Sequence, residues 1–112
     1  MGKQKSPRVA VVVKRTTYRK FILETHDPLV ARLLRKRDPT VGRLKQSHED
    51  HESTLREVEQ ALDELDAEVV FRGGPRARVP ARTDLVVTVG GDGTLLAASH
   101  LIGDGTPLLG IN

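Results

Sequence analysis

Gly90-Gly91-Asp92-Gly93-Thr94 is the stretch of this 112-residue chain whose residue types and spacing could do chemistry. It follows an apolar, β-branched run and precedes a helix-like one. A strand-to-helix turn of that kind exposes unpaired N–H groups and the helix's partial positive charge to an anion. Gly90, Gly91 and Gly93 let the backbone approach a bulky anion without Cβ clashes, and Thr94 offers either a helix cap or a hydroxyl donor. Asp92 is the informative residue. A carboxylate about 4 Å from a phosphate charge costs roughly 4 kcal/mol at an effective dielectric of about 20, so a loop that only holds phosphate should avoid one. Either a divalent cation lies between the two charges, or the carboxylate takes the proton of a hydroxyl attacking a phosphoryl group. Both readings make Asp92 the catalytic candidate of a phosphoryl transfer, and both require its carboxylate at the sheet's carboxyl edge.

The tetrapeptide Gly-Asp-Gly-Thr recurs at 103–106, after a helix and before a strand, where the polarity of the helix end is reversed. That copy reads as a C-cap and turn. Gly103 or Gly105 supplies a left-handed conformation, Pro107 stops the helix, and Asp104 needs no chemistry. A hairpin reading of the first copy fails, because TLLAASHLIG has alanines and leucines at helix-like density without alternation. The loop also lacks the lysine of Gly-x-x-x-x-Gly-Lys-Ser/Thr and the spacing of Gly-x-Gly-x-x-Gly. Elsewhere, His48 and His51, among Glu49, Asp50 and Glu52, are spaced to reach one ion, but no third ligand is identified. A solvated or partner-facing helix turn is the favoured reading, and no residue is assigned as a metal ligand.

The elements that must position the loop can be read along the chain. RVAVVV at 8–13 has the continuous apolar pattern of a strand buried on both faces. Lys14 and Arg15 follow at its carboxyl end, where open α/β sheets place ligands, and join the loop as candidate cofactor-binding residues. Asp27-Pro28 and Asp38-Pro39 each look like an N-cap with proline at the first helical position. The first of these helices would place Leu29, Val30, Leu33 and Leu34 on one face. The second should run to about residue 65, because Leu44, His48, His51, Leu55, Val58, Leu62 and Leu65 keep alternating spacings of four and three. Strands are expected at 67–72, ended by Gly73-Gly74-Pro75, at 84–89 and at 107–111, with a buried helix at 95–102 and a basic connector from Arg76 to Arg82. The sum is a single α/β domain: a doubly wound, mostly parallel, Rossmann-like sheet of about four strands with one long helix.

Composition narrows the classes. Charged residues make up 29% and apolar ones 38%, which suits a globular domain and argues against a disordered chain. A net charge of +3 invites polynucleotide binding, but eighteen basic residues are offset by fifteen acidic ones, and three aromatics make no stacking platform. No nucleic-acid partner is expected. Cysteine is absent, which excludes disulfides and thiolate metal sites. No apolar run reaches membrane-spanning length and the N-terminal Met-Gly-Lys-Gln-Lys lacks the apolar core of a secretory signal, so neither a membrane partner nor export is expected and the default compartment is the cytoplasm.

Gly90 to Leu96, the short helix after it, and Pro107-Leu108-Leu109-Gly110-Ile111-Asn112 together resemble the N-terminal domain of ATP-dependent NAD kinases. The resemblance is close over about 84–112. It implies transfer of the γ-phosphoryl group of ATP, with Mg²⁺, to the adenosine ribose 2′-hydroxyl of NAD. Asp92 would act at that hydroxyl or through the metal. Gly90, Gly91, Gly93 and Thr94 would form the phosphate loop, and Asn112 matches the asparagine of Gly-Ile-Asn. The family continues beyond that motif into an Asn-Glu or Asn-Asp pair and a β-rich domain, so the isolated chain is expected to be inactive and the complete enzyme a homo-oligomer. Lipid kinases and phosphofructokinases share Gly-Gly-Asp-Gly-Thr, but lipid kinases continue with Asn-Glu where this chain has Leu96-Ala97. A lipid kinase-like domain remains the enzymatic alternative. A regulatory or oligomerisation domain built on the seam from Leu44 to Leu65 is the other.

Overall fold

The computed structural model describes residues 6–24, 28–36, 39–103 and 105–112. The contacts group into two compact units, one formed by Met1–Lys14 with Leu55–Asn112 and the other by Arg15–Thr54.

The first unit is built on four strands, β1 (Arg8–Val13), β2 (Glu68–Gly73), β3 (Leu85–Val89) and β4 (Leu108–Ile111). They form one sheet in the order β2-β1-β3-β4 with every pairing parallel. Side chains alternate across a strand, so a central strand covered on both faces must be apolar at every position. β1 shows this directly. Val9 and Val11 join one core with Val87, Val89 and the helical residues Leu55, Val58 and Leu62, while Ala10 and Val12 join another with Val86 and Ala98. Helices therefore cover both faces, as a doubly wound sheet requires.

β2 keeps Gly73 as its last residue rather than stopping before it, and Gly73 pairs with Val12. A Cβ there would lie 2.7 Å from the tip of the Phe71 ring, so a larger residue would make that ring shift. Between Val9 and Ala10 the register slips, so Val69 and Phe71 oppose consecutive residues of β1. At its start β3 is tied to β1 by the Arg8 N–H, which donates to the Asp84 carboxylate at 2.8 Å, and by the Asp84 N–H, which donates to the Arg8 carbonyl at 2.8 Å.

The α-helices among the described residues are α1 (Pro28–Arg35), α2 (Pro39–Glu64) and α3 (Asp92–Ser99). Proline occupies the first position of both α1 and α2, as the sequence predicts. The capping aspartates Asp27 and Asp38, and the side chains of Val30 and Leu34, lie outside the described residues; on α1, Leu29 is exposed. α3 starts three residues before the expected 95 and ends at Ser99, not 102. The Ser99 hydroxyl donates to the Leu96 carbonyl at 2.6 Å, and the His100 and Leu101 N–H groups close on Ala97 and Ala98. His100 is thus the C-cap, and the second Gly-Asp-Gly-Thr begins beyond the helix end instead of capping it. Gly105 does supply the left-handed conformation, with φ 92°.

In the second unit a π-helical segment, Arg19–Glu24, precedes α1. His48 is buried there, which overturns the solvated reading: its Nδ1 shares a 2.7 Å hydrogen bond with Thr16 Oγ1, and its ring centroid lies 5.1 Å from that of Tyr18. The Thr16 hydroxyl also accepts from the Arg19 N–H at 3.1 Å, and the Arg19 guanidinium reaches Glu52 at 3.0 Å. Burial on its own would push the Glu52 carboxyl up, but the hydrogen bond and charge of Arg19, with the charges of His48 and His51, outweigh it and hold the group below its ordinary value. Among the described residues, no three His, Asp or Glu side chains are grouped to hold a metal ion.

Candidate active site

The strand order locates the site before any side chain is considered. From β1 the chain goes to β2 on one side, then returns to β3 on the other, so the direction of winding reverses between β1 and β3. Open α/β sheets bind ligands in the crevice outside the carboxyl ends of the strands at such a reversal. The loop 90–94 leaves β3 at that point. Its base is tied down by the backbone: the Lys14 N–H donates to the Val89 carbonyl at 2.9 Å, and the Gly90 N–H donates to the Ile111 carbonyl at 2.9 Å. The carboxyl ends of β1, β3 and β4 are thereby joined, and Lys14, the loop and Asn112 come to one edge of the sheet.

The glycines of the loop have different causes. Gly90 has φ 151°, and a Cβ on it would meet the Lys14 Cβ and the Thr94 Oγ1, each at 2.7 Å. The fold itself requires it. Gly91 and Gly93 have no such reason, since a Cβ on either would meet nothing within 4 Å. The surface above them is open, as close backbone approach by an anion demands.

Gly91, with extended backbone at φ −87° and ψ −169°, is the N-cap of α3, and its carbonyl accepts from the Thr94 and Leu95 N–H groups. Thr94 is therefore the third residue of the helix and makes no capping hydrogen bond. It is buried, with its hydroxyl against the Gly90 turn, so the capping role the sequence allowed is not realised. The amides of Asp92 and Gly93 fall among the first N–H groups of α3, which have no acceptor inside a helix.

Asp92 opens α3 and is solvent-exposed at the carboxyl edge. A carboxylate in the first turn of a helix is stabilised by about 0.3–1 kcal/mol through the helix dipole. The fold alone thus gives Asp92 a favourable place, which corrects the premise that only a proton or a cation could account for it. Among the described residues its side chain makes no hydrogen bond or ion pair, leaving both oxygens accessible. The Arg15 side chain belongs to the other unit and pairs with Glu24.

The topology and this turn define a doubly wound α/β domain with a glycine-rich helix start at its switch point. The sequence pattern of the ATP-NAD kinase N-terminal domain matches residues 9–112, and the chain belongs to that family. Among similar proteins, an NADH kinase of Arabidopsis thaliana is 69% identical over 29 residues, which are 26% of this chain and 9% of that protein. An NAD kinase of Geotalea daltonii is 50% identical over 38 residues, 33% of this chain and 13% of that protein. An NAD kinase of Legionella pneumophila (strain Paris) is 51% identical over 39 residues, 34% of this chain and 13% of that protein. The matched part of the chain thus spans 9–13% of the length of these relatives. No described helix is long and apolar enough to cross a membrane.

Proposed function

We propose that this chain is the phosphate-binding part of an NAD kinase, and that the turn at 90–94 holds the phosphates of ATP while Asp92 serves the adenosine ribose 2′-hydroxyl of NAD. The observation that carries this reading is the pair Gly91 and Gly93, glycines that packing does not require, beside an accessible carboxylate at the sheet's switch point. The 2′-oxygen attacks the γ-phosphorus, the bond from that phosphorus to the β–γ bridging oxygen breaks to release ADP, and the hydroxyl proton passes to the Asp92 carboxylate. The amides at the start of α3 receive phosphate oxygens, and Lys14 adds a positive charge beside them.

An exposed carboxylate without a protein partner also fits Mg²⁺, which is held by one or two carboxylates together with substrate phosphates. In that alternative Asp92 would hold the ion instead of taking the proton, and the ion would neutralise charge on the phosphoryl oxygens. Family membership supports NAD over a lipid acceptor. The seam from Leu44 to Leu65 gains no support as an assembly surface, because Leu55, Val58 and Leu62 are buried in the chain's own core.

Asp92→Asn in the complete enzyme tests the assignment, since the amide keeps the shape but cannot take the proton. The expected outcome is a fall in kcat for NADP formation of about 100-fold or more. A kcat within twofold of the wild type contradicts the role given to Asp92.

A further inference from the structure

The connector between β2 and β3 carries Arg76, Arg78 and Arg82, with no acidic residue between Arg72 and Asp84. Arg82 ends near the amino edge of the sheet, where its carbonyl accepts from Arg8 Nε at 3.1 Å. Arg76 and Arg78 belong to the opposite end. Arg76 lies within, and Arg78 just after, a turn closed by the Ala77 N–H donating to the Gly74 carbonyl, directly after β2 leaves the sheet. Burial alternates through this segment: Pro75, Ala77 and Val79 are half-buried, and Arg76 and Arg78 are exposed. Val79 packs on the core formed by Ala10, Val12, Val86 and Ala98, so the segment is anchored while its arginines face outward.

In the same unit Arg8 pairs with Glu68 and Arg72 with Glu59, whereas Arg76 and Arg78, like Arg56 and Arg82, make no ion pair among the described residues. Register locates the end of β2, from which the connector carrying them departs. Gly73 pairs with Val12 and Val12 with Thr88, so β2 ends level with a residue two places before Gly90. Two strand spacings, about 10 Å, separate β2 from β3 at that level.

We propose that Arg76 and Arg78, with Lys14, form an anion-binding wall beside the 90–94 turn that takes the phosphate chain of the phosphoryl donor. The inference rests on the reading of that turn given above. Guanidinium groups engage phosphate oxygens in bidentate fashion, and two of them on alternate residues of an anchored ribbon match a ligand with successive phosphates better than one with a single anion. That chemistry occurs both in a nucleoside triphosphate and in inorganic polyphosphate.

Calorimetric titration of this chain with ATP, inorganic tripolyphosphate and adenosine tests it, using wild type, R76Q/R78Q, and R32Q/R35Q as a control of equal charge change on exposed arginines of α1. R76Q/R78Q is expected to weaken ATP and tripolyphosphate roughly tenfold and to leave adenosine unchanged, with the control within about twofold. Tighter wild-type binding of ATP than of tripolyphosphate identifies a nucleoside triphosphate as the donor, and the reverse identifies inorganic polyphosphate. Equal effects of the two double variants, or none from R76Q/R78Q, overturn the proposal. Gly93→Glu separates it from the reading beneath it. If that variant abolishes ATP binding while R76Q/R78Q does not, only the arginine wall falls. If Gly93→Glu leaves ATP binding intact, or the wild-type chain binds neither phosphate ligand, the turn and the wall fall together.

Discussion

Glycine has two meanings within four residues of this chain, and the two can be separated by experiment. At Gly90 a side chain would need a positive φ and would collide with Lys14 and Thr94, whereas at Gly93 it would enter open space on a helix. Gly90→Ala should therefore cost about 1–3 kcal/mol or more in urea unfolding. Gly93→Ala should leave stability unchanged or raise it by up to about 1 kcal/mol, yet weaken ATP binding. Loss of stability at Gly93 without loss of binding would contradict the division. The sequence shows three glycines around an aspartate, and with them the loop, but not which glycine answers to the fold. That depends on Lys14, which lies far away in the chain. The same holds for Arg15, which its position at the carboxyl end of the first strand marks as a cation near the site and the structure pairs with Glu24. It holds again for His48, whose spacing marks it as an interruption of an apolar seam but whose partner Thr16 is 32 residues distant.

At the scale of elements, periodicity was a good guide to existence and a poorer one to ends. Continuous valines identify β1 because both its faces are covered, and the alternating spacing of α2 identifies the residues that cover one of them. Ends depend on local bonding that pattern does not show. α3 starts inside the glycine-rich turn because Gly91 can cap it and Asp92 suits its first turn, and it stops early because the Ser99 hydroxyl and the following N–H groups close it. The α2 seam makes a quantitative contrast. Leu55 is 2% exposed within the core and Leu65 is 72% exposed. Leu55→Ala should destabilise by about 2–5 kcal/mol, through lost burial and the cavity left behind, and Leu65→Ala by less than about 0.5 kcal/mol. Equal small effects at both positions, with a loss of self-association, would instead make the seam an assembly surface.

For the whole molecule, the decisive feature is an all-parallel order β2-β1-β3-β4, which reverses direction beside the glycine-rich strand-to-helix turn at 90–94 and so puts a helix start, Lys14 and the end of β4 at a single edge. Alternating strands and helices make that class of sheet legible from the sequence, and the family match over residues 9–112 agrees with it. A rival location exists at the opposite edge, where Ser6, Arg8, Glu68, Arg82 and Asp84 line a cleft. Titrating the ¹⁵N-labelled chain with MgATP and following its amide resonances discriminates the two edges most directly. Shifts concentrated at Lys14 and at Gly90 to Thr94 are the predicted result. Shifts concentrated at Arg8, Arg82 and Asp84, with the amides of the turn unmoved, would contradict the account.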